Sequence, residues 1–334
     1  MKYNIRYILQ FFYLINFILS SEVTHALEKE DTIINKMHYI SDVIVTAERT
    51  KQQVKSSNPF QQLNKKQLQQ QGITDIADAL RRFSGVNIKD YGGAGGMKTI
   101  SVRSLGAKHT AVVYDGVTLS DCQSGQIDLS RFSIDNIQQI SLTIGDNEDI
   151  FVPARTVASA AALKLQSISP DFSNKKNHLT GQIKTGSFGM INPLIRYEQK
   201  FNEKISASTT GEFMRADNLY PFTLVNGDYV SKEKRYNNNI QTYRGELNLY
   251  ISPNNRSTLN GKIYYYDTDQ QLPGAVILYN AKSREKLRER NFFSQVHYRT
   301  YWENNLSLLI NGKFNWSQSR FHHIMKSKFY FAYF

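Results

Sequence analysis

The chain has 334 residues, of which 40% are hydrophobic, 21% charged and 12% aromatic. This balance excludes a disordered polymer and leaves room for two ordinary domains. Tyrosine and phenylalanine are abundant and proline is scarce, which favours β structure because aromatic rings fit pleated, half-buried surfaces. The net charge of +12 suits nucleic-acid binding or contact with anionic lipid, so charge alone does not decide between them. The single cysteine, Cys122, excludes an internal disulfide and a thiolate metal centre.

The first residues have the pattern of a secretory signal peptide. Lys2 and Arg6 precede an apolar run over residues 7–19, and the exit from this run ends at Ala26. The run is shorter than the ~20 apolar residues that a spanning helix needs, and a membrane anchor or a buried helix is the alternative. We predict a cleaved signal peptide at residues 1–26 and export through the inner membrane.

The next segment is polar and contains one β-prone stretch. Residues 27–40 have the composition of a tether, and residues 41–47 form a short predicted strand with polar flanks. Residues 51–71 are rich in Gln and Lys and show little apolar periodicity. A lone strand of this kind can add to the edge of a sheet in another protein.

From Gly72 the pattern is that of a compact α+β domain, which we place at residues 48–167. Ile73, Ile76, Ala77 and Leu80 share one helical face, with Thr74 as a predicted cap and Gly85 as the predicted end. Strands are predicted at residues 86–88, 99–103 and 111–114, followed by a turn at 115–116. A helix is predicted over residues 134–140, leading into a strand at 140–144.

The glycine-rich loop at residues 91–96 nearly completes the phosphate-binding pattern G-x-x-x-x-G-K-[ST]. Met97 stands where the last glycine must lie, and its Cβ obstructs the close approach of a phosphate. The residues from Thr99 onward alternate like a strand, whereas a P-loop leads into a helix. We therefore predict a loop with several φ > 0 positions and no nucleotide site.

Residues 168–334 contain seven predicted strands in which apolar and polar residues alternate: 178–186, 192–200, 204–213, 242–251, 257–267, 291–301 and 306–316. The connections 201–203, 252–256 and 302–305 are short, whereas the connections 214–241 and 268–290, which alternate with them, are long and polar. The connection 187–191 belongs to the second group by its position but is short. Strands of ~10 residues with this parity are typical of membrane barrels. A water-soluble all-β domain is the alternative, because alternation alone does not separate the two.

Seven strands of this kind are too few to form a closed barrel around a folded domain. An open sheet edge is not tolerated against lipid, since unsatisfied backbone groups cost several kcal/mol each. The last ten residues, 325–334, also lack the alternation before them. We expect a partial barrel over residues 168–334 that comes from a truncated gene product, a fragment or a split reading frame.

Several motifs, in their order and spacing, resemble the plug of TonB-dependent outer-membrane receptors. The TonB-box-like residues are Asp42, Val43, Ile44, Val45, Thr46 and Ala47. Residues 76–80 and 84–86 resemble the family's helix and "GV" strand start, and residues 112–117 resemble its "V-x-x-D-G-V" hairpin. Residues 100–106 resemble its "I-x-x-R-G-x-G" strand, with Ser104 for glycine, and residues 137–140 resemble its "I-E-x-I-E-V" segment, with both acids replaced. The family's closing pattern "G-P-x-S-x-x-Y-G…G-V-I-N-I" is absent from residues 145–155. That departure resembles divergent Bacteroidetes-type receptors, some of them similar to cobalamin transporters.

The resemblance implies an α+β plug domain followed by the N-terminal strands of an incomplete antiparallel transmembrane β-barrel. It implies TonB-dependent uptake of a scarce nutrient such as cobalamin or a siderophore across the outer membrane, without a cofactor. TonB would bind residues 42–47, and the apical plug loops would contact the nutrient through Asp90, Tyr91, Asp121 and Gln123. Lipopolysaccharide is a further expected partner, and nucleic acid is not. A surface-binding protein or an inactive remnant of such a receptor is the alternative.

The sequence favours no enzyme class. His322 and His323 have no further ligand at metal-binding spacing, and adjacent strand residues point to opposite faces. No G-x-S-x-G context accompanies a serine, and the carboxylates are scattered. We expect neither catalysis nor a metal site.

Overall fold

The structure, a computed structural model, describes residues 58–92, 96–121, 125–145, 151–276, 283–302 and 306–322. The predicted signal peptide, the tether and the TonB-box-like residues 42–47 lie outside these ranges, as does Gln123. Among the described residues, no helix combines the length and the apolar character needed to cross a membrane.

The described residues between 58 and 167 form a mixed α+β part. Its strands are β1 (Phe60–Asn64), β2 (Val86–Asp90), β3 (Lys98–Val102), β4 (Thr110–Tyr114), β5 (Val117–Thr118), β6 (Ile137–Ile144) and β7 (Ala161–Ser167). Its α-helices are α1 (Lys65–Gln70), α2 (Ile76–Arg81) and α3 (Ala154–Val157), and 3₁₀ helices span Ala107–His109, Leu129–Arg131 and Ile134–Asn136. One sheet has the order β1-β6-β7-β4-β5, with β4 and β7 parallel, and β2 pairs with β3.

Helix α2 forms where the apolar period predicts it, but its cap differs from the prediction. The Asp75 side chain accepts a hydrogen bond from the Asp78 backbone N–H at 2.7 Å, so Asp75 and not Thr74 is the N-cap. A carboxylate caps well because it satisfies an N–H that has no partner within the helix. After the helix, Gly85 takes φ +75°, and strand β2 begins at the next residue.

Two sequence expectations in this part were wrong or incomplete. The predicted helix over 134–140 is a 3₁₀ helix of three residues, Ile134–Asn136, followed at once by strand β6. The apolar residues Ile134, Ile137 and Ile140 have helical spacing, but β6 pairs with β1 and β7 on its two sides, and this pairing overrides local propensity. In addition, β1 and α1 lie within the segment 51–71 that showed little periodicity.

The remaining described residues form a seven-stranded antiparallel sheet with neighbours in chain order except for one inserted hairpin. Its strands are β8 (Asn177–Gly186), β9 (Met190–Lys200), β10 (Ile205–Ala216), β13 (Ile240–Asn254), β14 (Ser257–Leu272), β15 (Glu285–Tyr301) and β16 (Ser307–His322). The hairpin consists of β11 (Pro221–Asn226) and β12 (Tyr229–Lys234). Each of the seven predicted strands overlaps one of these. Strands β8 and β16 are the two edges, so the sheet is open over the described residues.

The predicted connections 214–241 and 268–290 are shorter in the structure, because strand pairing continues into them. Pairing of β10 with β13 reaches Ala216 and Ile240, and pairing of β14 with β15 reaches Leu272 and Glu285. Strands β9, β13 and β15 all end at one end of the sheet, which we call the short-connection end. Residues 217–239, 273–276 and 283–284 lie at the other, the long-connection end.

The sheet is polar on its inner face, which packs on the α+β part, and apolar on its outer face. On β10 the inner residues Ser208, Thr210 and Glu212 are buried. The outer face exposes large apolar side chains on every strand except β10, where Phe213 is half-buried: Leu179, Ile183, Ile191, Ile195, Tyr243, Leu247, Leu249, Ile263, Tyr265, Val296, Leu308, Ile310, Phe314 and Trp316. A water-soluble sheet has the reverse arrangement, whereas a lipid-facing barrel wall has this one.

Candidate functional site

An aromatic cluster joins the α+β part to the inner face of the sheet. Tyr114 of β4 is 1% exposed and lies edge-on to Tyr264 and Phe293, with ring centroids 6.4 Å apart in both pairs. Phe132 packs on Tyr114 at 5.1 Å and on Tyr264 at 5.7 Å. Edge-to-face and tilted pairs at these distances are favourable beyond the area they bury. This cluster forms the apolar centre of an interface that is otherwise polar.

A buried ion pair network lies beside this cluster. Lys262 of β14 places its Nζ 2.7 Å from Asp115 Oδ2 and pairs with Glu246 of β13. The Tyr114 hydroxyl donates to Glu246 Oε2 at 2.7 Å, and the Lys262 ammonium lies 4.1 Å from the centroid of the Tyr114 ring. Burial, and next the Glu246 carboxylate, raise the pKa of Tyr114 well above its ordinary value, so the phenol remains a donor. One sheet lysine thus bridges a carboxylate of each part.

The turn that carries Asp115 has the conformation that the sequence predicts. Asp115 and Gly116 have φ of 47° and 81°, which a tight hairpin turn requires at both positions. A Cβ on Gly116 would lie 3.3 Å from His297 Cε1 on β15. Asp115 also accepts from the Ser167 backbone N–H and hydroxyl, both at 2.7 Å. Glycine at 116 therefore allows the turn to lie directly on the sheet.

Two sheet arginines bind the 3₁₀ helices of the α+β part. Arg244 donates from Nε to the carbonyl of Arg131 at 3.0 Å and from Nη2 to the carbonyl of Ser130 at 2.9 Å, while Nη1 contacts Glu212 at 2.8 Å. Arg196 donates to Asn136 Oδ1 at 2.7 Å and to the Asp135 carbonyl at 3.0 Å. Because the partners are mainly carbonyl and amide oxygens, each contact can be exchanged for water at modest cost.

Cavities lie between the two parts toward both ends of the sheet. The cavity toward the short-connection end has about 730 Å³ and is lined by Asp115, Lys164, Lys262, Gln295, His297 and Arg299, among others. The cavity toward the long-connection end has about 370 Å³ and is lined by Asp121, Arg131, Tyr266, Glu289, Asn291 and Ser317, among others. We call the second one the apical cavity.

Arg131 is the central cation of the apical cavity. Its guanidinium lies 3.8 Å from Asp121, 3.9 Å from Glu289 and 4.0 Å from Asp128. The Asp128 carboxylate also caps the 3₁₀ helix that carries Arg131, accepting from Ser130 N at 2.9 Å. The buried Arg131 Nε has no hydrogen-bond partner among the described residues. The cavity therefore presents a positioned donor between carboxylates from both parts.

Three of the four predicted nutrient-contact residues, Asp90, Tyr91 and Asp121, lie in the described part of the chain. Asp121 lines the apical cavity. Asp90 lies at the end of β2, 4.0 Å from the Lys98 ammonium, and the Lys98 backbone N–H in turn donates to Asp128 at 2.9 Å. Tyr91 follows at the turn and is 60% exposed. Asp90 accepts from Arg81 and from Gly92 N, so part of its role is local.

Sequence reasoning missed Arg131, Glu289 and the Lys262 network. Glu289 and Lys262 are polar residues on the inner face of alternating strands. A polar residue at such an alternate position is the sequence signal for a side chain that faces the plug. The partners of these residues could not be predicted from the sequence, because pairing with the α+β part depends on strand register and on the packing of the two parts.

The fold and this interface define a class: an α+β plug packed on the polar inner face of antiparallel, lipid-facing barrel strands. Residues 52–151 match the family model of the TonB-dependent Receptor Plug Domain. The vitamin B12 transporter BtuB of Vibrio vulnificus is 32% identical over 111 residues, which cover 33% of this chain and 18% of that protein.

Solved structures share this fold. The unliganded ferric citrate transporter FecA aligns with a TM-score of 0.59 and 14% identity over 81% of this chain and 41% of that one. The alcaligin receptor FauA of Bordetella pertussis aligns with a TM-score of 0.56 and 10% identity over 80% and 40%. The chain spans less than half the length of these proteins. Residues 52–151 are thus similar to the plug domain of TonB-dependent receptors, and the described strands share the fold of these solved receptors.

Proposed function

We propose that this chain is part of a TonB-dependent outer-membrane transporter that takes up a scarce nutrient of the cobalamin or ferric-chelate class. The observation that carries the proposal is the polar interface between plug and barrel strands, with a cavity open at the long-connection end. A plug held mainly by hydrogen bonds and ion pairs can shift within a hydrated barrel, because water replaces the lost partners. The relatives named for vitamin B12 and ferric citrate supply the ligand classes.

In this proposal the apical cavity binds the nutrient. Arg131 and the carboxylates of Asp121 and Glu289 offer both donors and acceptors, which suits a polar ligand with amide or carboxylate edges. Asp90, Tyr91 and Gln123 belong to the same proposed surface at the rim. Tyr91, being exposed, is available to stack on a flat ligand.

The energy would come from TonB. Residues 42–47 would pair with TonB by strand addition, in which main-chain hydrogen bonds provide the affinity. Tension on the tether at 27–40 would then draw on the plug at 48–167, and the barrel over 168–334 would need further strands to close around it. Residues 1–26 would serve as the signal that directs the chain to this membrane.

Ligand binding can be tested on the full chain refolded in detergent. Cyanocobalamin and ferric enterobactin are titrated separately against tryptophan fluorescence. One of them should saturate, and the double variant Asp121→Asn and Glu289→Gln should weaken its affinity at least about tenfold, since hydrogen bonds to charged groups are lost. Asp228→Asn with Glu233→Gln, on the β11–β12 hairpin, removes the same charges elsewhere and should change nothing.

Failure of both ligands to bind, or equal binding by the two double variants, would remove the apical cavity from the proposal. Transport is tested separately, by uptake of the bound ligand in an outer-membrane host with and without functional TonB. Binding without TonB-dependent uptake would favour a surface-binding protein over a transporter.

A further inference from the structure

The cavity toward the short-connection end lies between two polar walls, and we call it the basal cavity. One wall is a face of the five-stranded plug sheet. Lys164 lies in the middle of this wall, because it belongs to the central strand β7 and has Val113 of β4 and Ser141 of β6 as register partners. The other wall is the inner face of β13, β14 and β15. At about 730 Å³ the cavity has the size of a small-molecule site.

The charges that line the basal cavity are not balanced. Lys164 and Arg299 are half-buried there, and neither forms an ion pair or a side-chain hydrogen bond with another described residue. Asp115 is the only carboxylate among the described lining residues, and it is already bonded to Lys262 and Ser167. The basal cavity therefore presents two cations that lack a described counter-charge. Half-buried cations of this kind favour an anion between the walls.

Arg299 is held in place with its hydrogen-bond donors unused. It lies on the same face of β15 as the buried Phe293 and Gln295, because the three residues are separated by even steps along the strand. Its guanidinium carbon lies 5.7 Å from the centroid of the Phe151 ring. This contact orients the guanidinium but engages none of its five N–H donors. A planar oxyanion can therefore accept from it in the bidentate arrangement.

Gln295 supplies an acceptor that has no donor. The side chain is 4% exposed, and its Nε2 donates to the Tyr114 carbonyl at 3.1 Å. Because a carbonyl only accepts, this bond fixes the orientation of the amide. The buried Oε1 has no hydrogen-bond partner among the described residues. A water molecule would satisfy this oxygen but would leave Lys164 and Arg299 without a counter-charge, whereas a ligand with both an anion and a donor satisfies all three.

We propose that the basal cavity is a second ligand site, which binds the carboxylate or phosphate group of a ligand that also carries a hydroxyl or amide donor. Arg299 and Lys164 hold the oxyanion, and Gln295 accepts from the donor. The proposal deepens the proposed function and rests on it for a role in transport, because the site would hold the nutrient toward the opposite end of the sheet from the apical cavity. Binding itself requires neither the apical cavity nor TonB.

The test titrates matched probes into the full chain in detergent and follows binding by calorimetry. Citrate carries carboxylates and a hydroxyl, and tricarballylate is the same molecule without the hydroxyl. Glycerol 3-phosphate and propyl phosphate form the corresponding phosphate pair, and glycerol is the neutral control. Citrate or glycerol 3-phosphate should saturate, and whichever binds more tightly identifies the oxyanion. It should bind at least about threefold more tightly than its partner without the hydroxyl, since Gln295 gains a donor. Glycerol should not bind.

Variants assign this binding to the basal cavity. Lys164→Gln with Arg299→Gln should weaken it at least about tenfold, because the oxyanion loses both charged partners. Lys66→Gln with Arg82→Gln, both exposed on the plug and outside the cavity lining, should leave it unchanged. Gln295→Met should remove the preference for the probe with the hydroxyl. The comparison of paired probes on the parent chain does not depend on the folding of any variant.

The apical double variant Asp121→Asn and Glu289→Gln separates this proposal from the proposed function. It should keep the oxyanion probe bound while its affinity for the nutrient falls. A chain that binds the nutrient but neither charged probe would retain the proposed function and lose the basal site. Equal affinity within both probe pairs, binding of glycerol as tight as that of the charged probes, or unchanged binding by the Lys164→Gln and Arg299→Gln variant would likewise overturn the proposal.

Discussion

A single side chain, Lys262, neutralises a carboxylate from each part of the molecule. Its ammonium is surrounded by Asp115, Glu246 and the face of the Tyr114 ring, at the edge of the aromatic cluster. Removing one partner from a buried charge network costs far more than the network contributes as a whole, because the remaining charges stay buried and unpaired. The interface is therefore sensitive to loss of this lysine.

Lys262→Met should destabilise the full chain by about 3–5 kcal/mol, because Asp115 and Glu246 remain as unpaired neighbours. Lys262→Arg should retain most of the stability, and Lys204→Met in the exposed turn after β9 should have little effect. The measurement is the urea midpoint in detergent, combined with the protease sensitivity of the plug. Equal midpoints for Lys262→Met and Lys204→Met would contradict this account.

Asp75 couples the stability of the plug to acid pH. Burial opposes its ionisation, but the Lys98 ammonium, 2.6 Å from Asp75 Oδ2, outweighs burial and lowers the pKa of Asp75 below its ordinary value of 3.8. A lowered folded-state pKa contributes stability that is present above pH 3.8 and is lost as the pH falls through the folded value.

Asp75→Asn should accordingly lower stability at neutral pH and flatten the loss of stability below pH 3.8, where the parent chain loses the ionised cap. Asp228→Asn, in the exposed turn between β11 and β12, should keep the parental acid profile. Acid titrations followed by near-ultraviolet circular dichroism compare the three chains. A parental profile for Asp75→Asn would show that another carboxylate governs acid unfolding.

At the scale of elements, sequence prediction succeeded where a pattern has a local cause and failed where tertiary pairing decides the structure. Alternation located all seven sheet strands, because a two-residue period reports which side of a sheet is apolar. Alternation did not predict the full lengths of the strands. Strand pairing continues beyond the apolar band of the outer face, as at Leu272, and this pairing does not require alternation. The Ile134, Ile137 and Ile140 spacing predicted a helix where tertiary pairing made a strand.

Only part of the candidate site could be predicted from the sequence. Asp115 and Gly116 follow from turn chemistry, and Asp121 from the plug resemblance. Arg131 gave no local signal, because its role arises from carboxylates distant in sequence, Asp121 and Glu289, that the fold brings together. Which inner-face residue meets which plug residue depends on register, which a single sequence does not specify.

The TonB-box-like strand at residues 42–47 has a direct test. Val45→Pro in the full chain should abolish binding to the periplasmic domain of TonB, because proline removes a backbone donor and cannot continue a central ladder. Thr32→Pro places the same residue in the tether and should bind like the parent chain. Titration calorimetry compares the three chains. Equal affinity for Val45→Pro would remove these residues as the TonB contact.

At the scale of the whole molecule, the plug and the sheet share one apolar core. Tyr264, Tyr266 and Phe293 of the sheet belong to the same buried cluster as Tyr114 and Phe132 of the plug. Most members of this cluster lie in the plug itself, among them Leu80 of α2, Leu142 of β6 and Leu163 of β7. The plug should therefore fold without the sheet, but with a surface that the sheet normally covers.

Residues 48–167 produced alone should give a soluble monomer with loose side-chain order around Tyr114. Burial of this ring depends on Tyr264 and Phe293, so removing the sheet exposes it. Binding of a hydrophobic dye and weak near-ultraviolet circular dichroism are the expected readings. Tyr114→Ser in the same segment should reduce dye binding. A segment that stays in solution only with detergent would contradict the division into plug and barrel.

In the proposed function, the alternation of the sheet strands also governs how the chain reaches its membrane. The outer face holds many large apolar side chains, yet polar inner residues separate them along the sequence, as Asn192, Arg196 and Glu198 do on β9. A translocation channel releases a segment sideways into lipid when it meets ~20 consecutive apolar residues. The channel would therefore not recognise this apolar surface during the proposed passage through the inner membrane. It becomes a contiguous hydrophobic band only when neighbouring strands align, so folding itself supplies the signal for lipid insertion.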